Sequence, residues 1–356
     1  MQPKLRIVVS TVGLGLTGSA LAQSAVTLYG IVDQSVRYTT STDSARDGNL
    51  ALTNGAITNS RWGLKGDEDL GGGLKALFLM EGGFDPQTGQ LNQGGRLFGR
   101  YAYAGLSGSL GTVTLGRRGT EAFNLFGDFD PLTVGNYTAN AWPFFMTVGR
   151  INHTVAYTGR FGGLTAGATY GFGQQPGRLG RNNYWGVRAS YAAGQLRLGG
   201  TYQEMRDLGN GVQRMWGLGA RYAAGSATLS MGYMGGRDAT GFVDSALNDP
   251  NRTIATGSFS ANPRKDMTLF AGVTWQAAPS LAITGALYFG AMKNLNGLAG
   301  TNGKRYTGVW LAEHALSKRT QLYATVDHNR VTGGAGTELP GAQHQTGIAL
   351  GIRHSF

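Results

Sequence analysis

One hairpin unit recurs along this chain and restricts the fold more than any other feature. YWGVRASYAAGQLRLGGTYQEM over 184–205 and MWGLGARYAAGSATLSMGYMGG over 215–236 alternate apolar and polar residues, reverse at Ala193 and Gly194 or at Ala224 and Gly225, and alternate again. A period of two puts successive side chains on opposite faces of a strand, and a minimal turn joins antiparallel neighbours. The same unit turns at Phe161, Gly162 and Gly163, near Pro279, and at Lys318 and Arg319. At the beginning, Val26, Leu28, Val32 and Val36 share one face, while Thr27, Tyr29, Asp33, Ser35 and Arg37 share the other. Roughly sixteen such segments follow one another, with short turns alternating with long Gly/Asn/Asp-rich loops, as in membrane barrels. The reading is all-β: a transmembrane antiparallel β-barrel with two unlike rims.

Other features agree. After the first residues, no run of about 18 apolar residues remains to cross a membrane as a helix, but alternating barrel strands average out in any hydropathy window. Sixty glycines, nine prolines and 10% aromatic residues suit a sheet with many tight turns. Tyr38, Trp62, Tyr101, Tyr170, Tyr202, Tyr222, Trp275 and Tyr323 fall near segment ends, where aromatic girdles meet lipid headgroups. Asp67 to Gly73 reads as a short acidic turn, and residues 41–57 as a polar loop.

The amino terminus reads as an address rather than structure. Lys4 and Arg6 precede an apolar run from Ile7 to Leu16, and Ala20, Leu21 and Ala22 form a small-residue cleavage site, so residues 1–22 are a signal peptide and the barrel domain spans 23–356. Losing Lys4 and Arg6 takes the formal charge from +11 to +9. Gly13 to Gly18 matches a dinucleotide fingerprint by letters, but without the strand before it the match is chance. Cysteine is absent, which excludes disulfides and thiol chemistry.

One stretch refuses the alternation. Between Gly119 and Arg150 the chain carries Glu121, Asp128 and Asp130, breaks at Pro131 and Pro143, and ends in Trp142, Phe144 and Phe145. Loops this long are usually functional. With strands on both sides, it reads as a segment enclosed by the wall and folded into the lumen.

The last strand, HQTGIALGIRHSF, places Ile348, Leu350, Ile352, His354 and the terminal Phe356 on one face. An exported β chain ending this way resembles the outer-membrane assembly signal. With SAVTLYGIVD at 24–33, SRWGLKGDEDLGGGLKALFLMEGGF at 60–84, RLFGRYAYAGLSGSLGTVTLGRR at 96–118 and LSKRTQLYATVDHNRV at 316–331, the chain resembles a general porin of the Gram-negative outer membrane, of the beta-proteobacterial trimeric type related to neisserial porins. The resemblance implies sixteen strands, a homotrimer among outer-membrane lipids and lipopolysaccharide, and an inward-folded third loop at 119–150 that constricts each pore. It implies passive diffusion of small anions and hydrophilic solutes, and no cofactor. It matches Arg61, Arg100 and Arg150 to wall arginines and Glu81 to a wall carboxylate. The loop departs from the family pattern, so Asp128 and Asp130 are candidate partners by their place on it alone. By alternation Tyr101 and Tyr103 oppose Arg100, Ala102 and Ala104.

Two other classes remain open. An outer-membrane hydrolase could assemble Ser and His from distant strands, although His153, His314, His328, His344 and His354 show no metal-ligand spacing and no GxSxG elbow occurs. An adhesin or receptor barrel would act only through external loops and pass no current. Nucleic acid is not an expected partner, since arginines inside a membrane-embedded lumen cannot reach a duplex.

Overall fold

The computed structural model describes residues 25–42, 45–135, 141–248, 259–339 and 343–356, so the expected signal peptide at 1–22 and the expected start at Gln23 lie outside the described residues. The strands are β1 (Ala25–Thr39), β2 (Asn49–Asn54), β3 (Arg61–Gly71), β4 (Leu74–Gly83), β5 (Tyr101–Gly108), β6 (Gly111–Gly119), β7 (Arg150–Phe161), β8 (Leu164–Gly171) and β9 (Tyr184–Ala193). There follow β10 (Leu196–Arg206), β11 (Val212–Ala224), β12 (Ala227–Asp238), β13 (Arg264–Ala278), β14 (Leu281–Lys293), β15 (Gly303–Ala315), β16 (Thr320–Gly333) and β17 (His344–Ser355). From β3 onward each strand pairs antiparallel with the next, and β17 returns to β1 from Ile31↔Ser355 to Thr39↔Gly347, closing the sheet on itself.

The seventeen strands fill sixteen positions. β1 pairs with β3 over Ala25 to Ile31 and with β2 over Gln34 to Thr39, so β2 and β3 are one staff interrupted at residues 55–60. The interruption is built around Asp33, whose carboxylate accepts the Thr58 N–H (3.1 Å) and the Tyr323 hydroxyl (2.6 Å). Gly55, at φ +47, allows the chain to turn there. β2 falls inside the segment read as a polar loop. Its alternation is only six residues long, with Leu50 and Leu52 turned outward. The acidic segment also differs from expectation: β3 runs through Asp67 and Asp69 to Gly71, and the turn is confined to Gly72 and Gly73. Lys75 on β4 pairs with Asp67 (3.2 Å), which keeps the acidic residues in the ladder.

The wall has an apolar outside and a polar inside. Val26, Leu28, Val36, Leu218, Leu287 and Leu350 are exposed on the outer face, whereas Asp33, Arg37, Thr268 and Asp327 are buried within. On β9 and β11 outward aromatics come in pairs, Trp185 with Tyr191 and Trp216 with Tyr222, both six positions apart. At about 3.4 Å per residue that is roughly 20 Å along a strand, close to the height of the apolar band of such barrels. Two aromatics assigned to the girdle point inward instead. Tyr323 is buried against Asp33, and Tyr101 sits beside Glu81 in the β4–β5 register.

The core lies inside the barrel, and the loop between β6 and β7 makes it. Thr120 caps a helix over Glu121–Phe129 by accepting the Phe123 N–H, and Trp142–Thr147 forms a 3-10 turn. Helical spacing puts Ala122, Leu125, Phe126 and Phe129 on one buried face. That face packs with Phe144, Phe270, Tyr288, Met215 and Met234, and the Phe126 and Phe270 rings meet edge-on at 5.9 Å. Each buried aromatic contributes on the order of 1.5–3 kcal/mol.

Inward glycines on β10, β11 and β13 make room for this loop. A Cβ at Gly199 or Gly219 would lie 2.7 or 2.4 Å from Phe129, one at Gly217 would lie 2.4 Å from Phe126, and one at Gly272 would lie 2.6 Å from Pro131. The glycines of the repeated hairpins therefore do more than turn the chain, because on the inner face they form the seat of the loop.

Candidate functional site

The apolar face of the loop seats on β9 to β15, and three arginines gather on the lumen wall of β3 to β7, where Arg100 and Glu81 are buried. Arg61 opens β3, Arg150 opens β7, and Arg100 immediately precedes β5. The Arg100 side chain donates from Nε to Glu81 Oε1 at 2.5 Å, while its backbone N–H donates to the Glu81 carbonyl. Arg61 Nε approaches Glu81 Oε2 at 3.9 Å, and the Tyr29 hydroxyl donates to the same oxygen at 2.8 Å. Glu81 thus holds two guanidinium groups and a phenol.

Alternation misplaces Arg100 relative to its neighbours. Tyr101 and Tyr103 face the lumen as strand residues, and so does Arg100, because it lies one residue outside β5 and its backbone is held by Glu81 rather than by the ladder. Arg150 forms no ion pair among the described residues. Its guanidinium lies 5.9 Å from the Tyr101 ring and 5.1 Å from the Phe123 ring, and its Nε is buried without a hydrogen-bond partner. A further lumen arginine, Arg118 on β6, donates to Thr114 (2.9 Å) and forms no ion pair among the described residues. Sequence reasoning passed over it because a register shift between Gly116 and Arg118 breaks the period of two there.

The acidic residues of the loop are placed elsewhere. Glu121 is fully buried, accepts from Thr169 Oγ1, and pairs with Arg188 at 2.7 Å, fastening the helix start to β8 and β9. Asp130 is 1% exposed; it accepts the Tyr288 hydroxyl (2.6 Å) and the Val134 N–H (2.7 Å). Burial pushes its carboxyl up to about 6, against the lowering effect of those hydrogen bonds. Asp128 keeps its carboxylate in water, 3.8 Å from Arg197, while Arg221 donates to its carbonyl. The structure therefore brings Arg61, Glu81 and Arg100 together, sets Arg150 beside them on Tyr101, and places Asp128 and Asp130 away from this cluster, against the β10–β11 and β14 walls. Loop carboxylates are needed as anchors because a polar segment inside a barrel must find partners on the wall.

A second buried charge cluster closes the long-loop end. Arg264 donates to Asp244 (2.7 Å), Asp266 (2.9 Å) and Glu338 (2.8 Å), tying the helix Phe242–Asn248 and the turn Gly334–Glu338 to β13. Arg305 stacks on Trp142 at 5.1 Å and approaches Glu338 at 3.5 Å, linking the inner loop to the same cluster. Nothing in the sequence marks it, since its members come from four separate segments. At the carboxyl terminus, the Phe356 N–H and carbonyl pair with Gly30 at 3.1 Å, and its ring covers that glycine.

The family profile of Gram-negative porins matches residues 9–334. The chain belongs to that family. Outer membrane porin proteins of Bordetella pertussis and Delftia acidovorans are 37% identical over 174 and 171 residues, 44% and 46% of this chain. Those matches span under half of each relative, 45% and 48% of its length. Among solved structures, an anion-selective porin from Comamonas acidovorans superposes with a TM-score of 0.74 at 26% identity, covering 94% of this porin and all of that chain. A trimeric form of OmpT from Vibrio cholerae shares the fold, with a TM-score of 0.67 at 12% identity.

Proposed function

We propose that this porin is a passive outer-membrane diffusion channel for small hydrophilic solutes and ions, assembled as a homotrimer among outer-membrane lipids and lipopolysaccharide, with Arg61, Glu81, Arg100 and Arg150 at its throat and a preference for small anions. The observation that carries the reading is the charge imbalance on the β3 to β7 wall: Glu81 stands against Arg61 and Arg100, and Arg150 has no ionic partner among the described residues. Arginine stays charged at every accessible pH. In a narrow, partly protein-walled passage its potential is screened less than on an open surface, where the Debye length is about 8 Å at physiological salt. An anion gains attraction where it has shed part of its water, and weak binding at successive sites lets it leave again. The anion-selective Comamonas porin supports the same direction. Asp128 and Asp130 are withdrawn from the throat in this reading and serve to hold the loop.

Residues 1–22 act as the export signal, and Phe356 serves assembly by clamping β17 to β1. Deleting Phe356 should lower the yield of folded trimer with single-channel conductance intact; unchanged yield removes that role. The channel itself is tested in planar bilayers. Stable conductance with a reversal potential of anionic sign under a salt gradient is expected. A folded protein that passes no current sinks the channel in favour of an adhesin or a barrel enzyme.

A further inference from the structure

We propose that the outer wall of β11 to β16, at the long-loop rim, is a binding site for a membrane lipid with a phosphate head group, with its acyl chains lying in a groove beside Gly308. The proposal rests on the membrane-channel reading above. The first observation is a row of exposed cations. Arg214, Arg237, Lys265 and Lys293 lie on four adjacent strands and face one another directly in register, Arg214↔Arg237, Arg237↔Lys265 and Lys265↔Lys293. Lys304 continues the row on β15 and Arg330 on β16, opposite His344 on β17, all exposed.

Like charges directly opposite one another destabilise a sheet. Among the described residues, the ion pairs of this row are confined to Arg214 with Glu204, at 2.8 Å. A row of this kind persists when something negative covers it. Adjacent strands are about 4.8 Å apart, so four cations span roughly 15 Å, enough for two phosphates side by side. Guanidinium groups suit phosphate because they can donate two parallel hydrogen bonds.

The second observation lies just below the row, toward the middle of the wall. Gly308 leaves a notch between Leu287 and His328, its partners in register on either side. The notch opens into a groove of about 820 Å³ against Leu269, Leu287, Tyr306 and Arg330. Phe289 and Tyr306 form one edge, with ring centroids 5.1 Å apart, and Leu287 is 64% exposed on the other. Cations above and a mostly apolar trough below, sharing β13 to β16, are complementary to an anionic head with acyl chains. A free phosphate would leave the trough unused. The row is also one-sided: at the same rim β1, β2 and β17 present Val36, Tyr38, Leu50, Leu52 and Ile348, an apolar face suited to a second copy of this chain.

The test uses the full-length trimer in phosphatidylcholine vesicles containing increasing fractions of brominated phosphatidic acid, read by quenching of tryptophan fluorescence. Trp310 on β15 and Trp216 on β11 are both exposed on this wall. Native protein should bind the phosphatidic acid several-fold more strongly than phosphatidylcholine. Replacing Arg237, Lys265, Lys293, Lys304 and Arg330 together by Gln should bring the ratio to one with conductance and reversal potential unaltered, which separates failure here from failure of the channel reading. Gly308→Leu, which fills the notch and leaves every cation, should reduce the preference for lipids with full-length chains. Equal binding of the two lipids by native protein, or an unchanged ratio in the fivefold variant, overturns the site. Displacement by inorganic phosphate beyond that of sodium chloride at equal ionic strength overturns a lipid as its occupant.

Discussion

Two sets of arginines and lysines in this molecule crowd like charges together, one inside the barrel and one outside, and they differ in what stands behind them. Inside, Arg61 and Arg100 are held by Glu81 and Tyr29, and Arg150 rests on the rings of Tyr101 and Phe123. Those side chains are fixed, so their field points at one place in the water path. Outside, Arg237, Lys265 and Lys293 are exposed and without carboxylate partners among the described residues. Their side chains point outward, so their field spreads into the surroundings of the barrel and away from its lumen. The formal charge of +11 counts both sets alike, although in the proposed channel the sorting of ions falls to the inner one.

The widest separation between the two sets should come from removing charge in each. In bulk water a unit charge acts on an ion about 8 Å away with about 0.5 kcal/mol, and with opposite sign on anion and cation, so one arginine changes their permeability ratio about fivefold. Replacing Arg100 and Arg150 together by Gln should therefore lower the anion-to-cation ratio by about 25-fold at low salt. The five outer cations replaced by Gln should leave it where it was. Reversal potentials measured on both variants make the comparison, and a shift caused by the outer set would show that the field is not confined to the throat.

A smaller effect, of opposite sign, is expected at Glu81. Glu81→Gln removes the negative charge of the wall cluster, so the preference for anions should rise by about fivefold. It also removes the charge from the buried pair and leaves one carbonyl oxygen to serve Arg61, Arg100 and Tyr29 where the carboxylate offered two, which should lower the thermal stability of the trimer. If Glu81→Gln instead lowers anion preference, Glu81 acts chiefly by aiming Arg100, and loss of aim outweighs loss of charge.

How much of this was legible depends on what each residue answers to. The hairpins of β7 to β16 were plain because a strand with one face in lipid and one in water must alternate, and Gly194, Gly225 and Gly162 mark its turns. β2 was missed because it is short and its six residues sit among small polar ones. The face of Arg100 was misread relative to Tyr101 because alternation holds only within the ladder, and Arg100 stands one residue before it. The loop was recognised from its failure to alternate, but its helix and its seat depend on glycines of β10 and β11, far away in sequence. Asp128 and Asp130 were candidates because both lie on the loop, yet a helix end sends Asp128 toward Arg197 and Asp130 toward Tyr288.

Asp130 offers the smallest and most specific expectation, because it is the acid that sequence placed in the throat and structure places under the loop. Its carboxyl is pushed up to about 6 by burial, above the ordinary value near 3.9 of an unfolded Asp. A raised folded-state value means that the seated loop binds the proton more tightly than the released one. The stabilising contribution of Asp130 is thus complete below about pH 4 and is lost as the pH rises through about 6. Two units correspond to about 3 kcal/mol. Hydrogen exchange of the Glu121–Phe129 amides should show the loop better protected at pH 4.5 than at pH 7. Asp130→Asn can still accept the Val134 N–H and cannot ionise, so its protection should be level across that range, with the reversal potential unaltered. A reversal potential that follows the Asp130 substitution would return this carboxylate to the throat and, with it, part of the charge that the inner arginines are proposed to face alone.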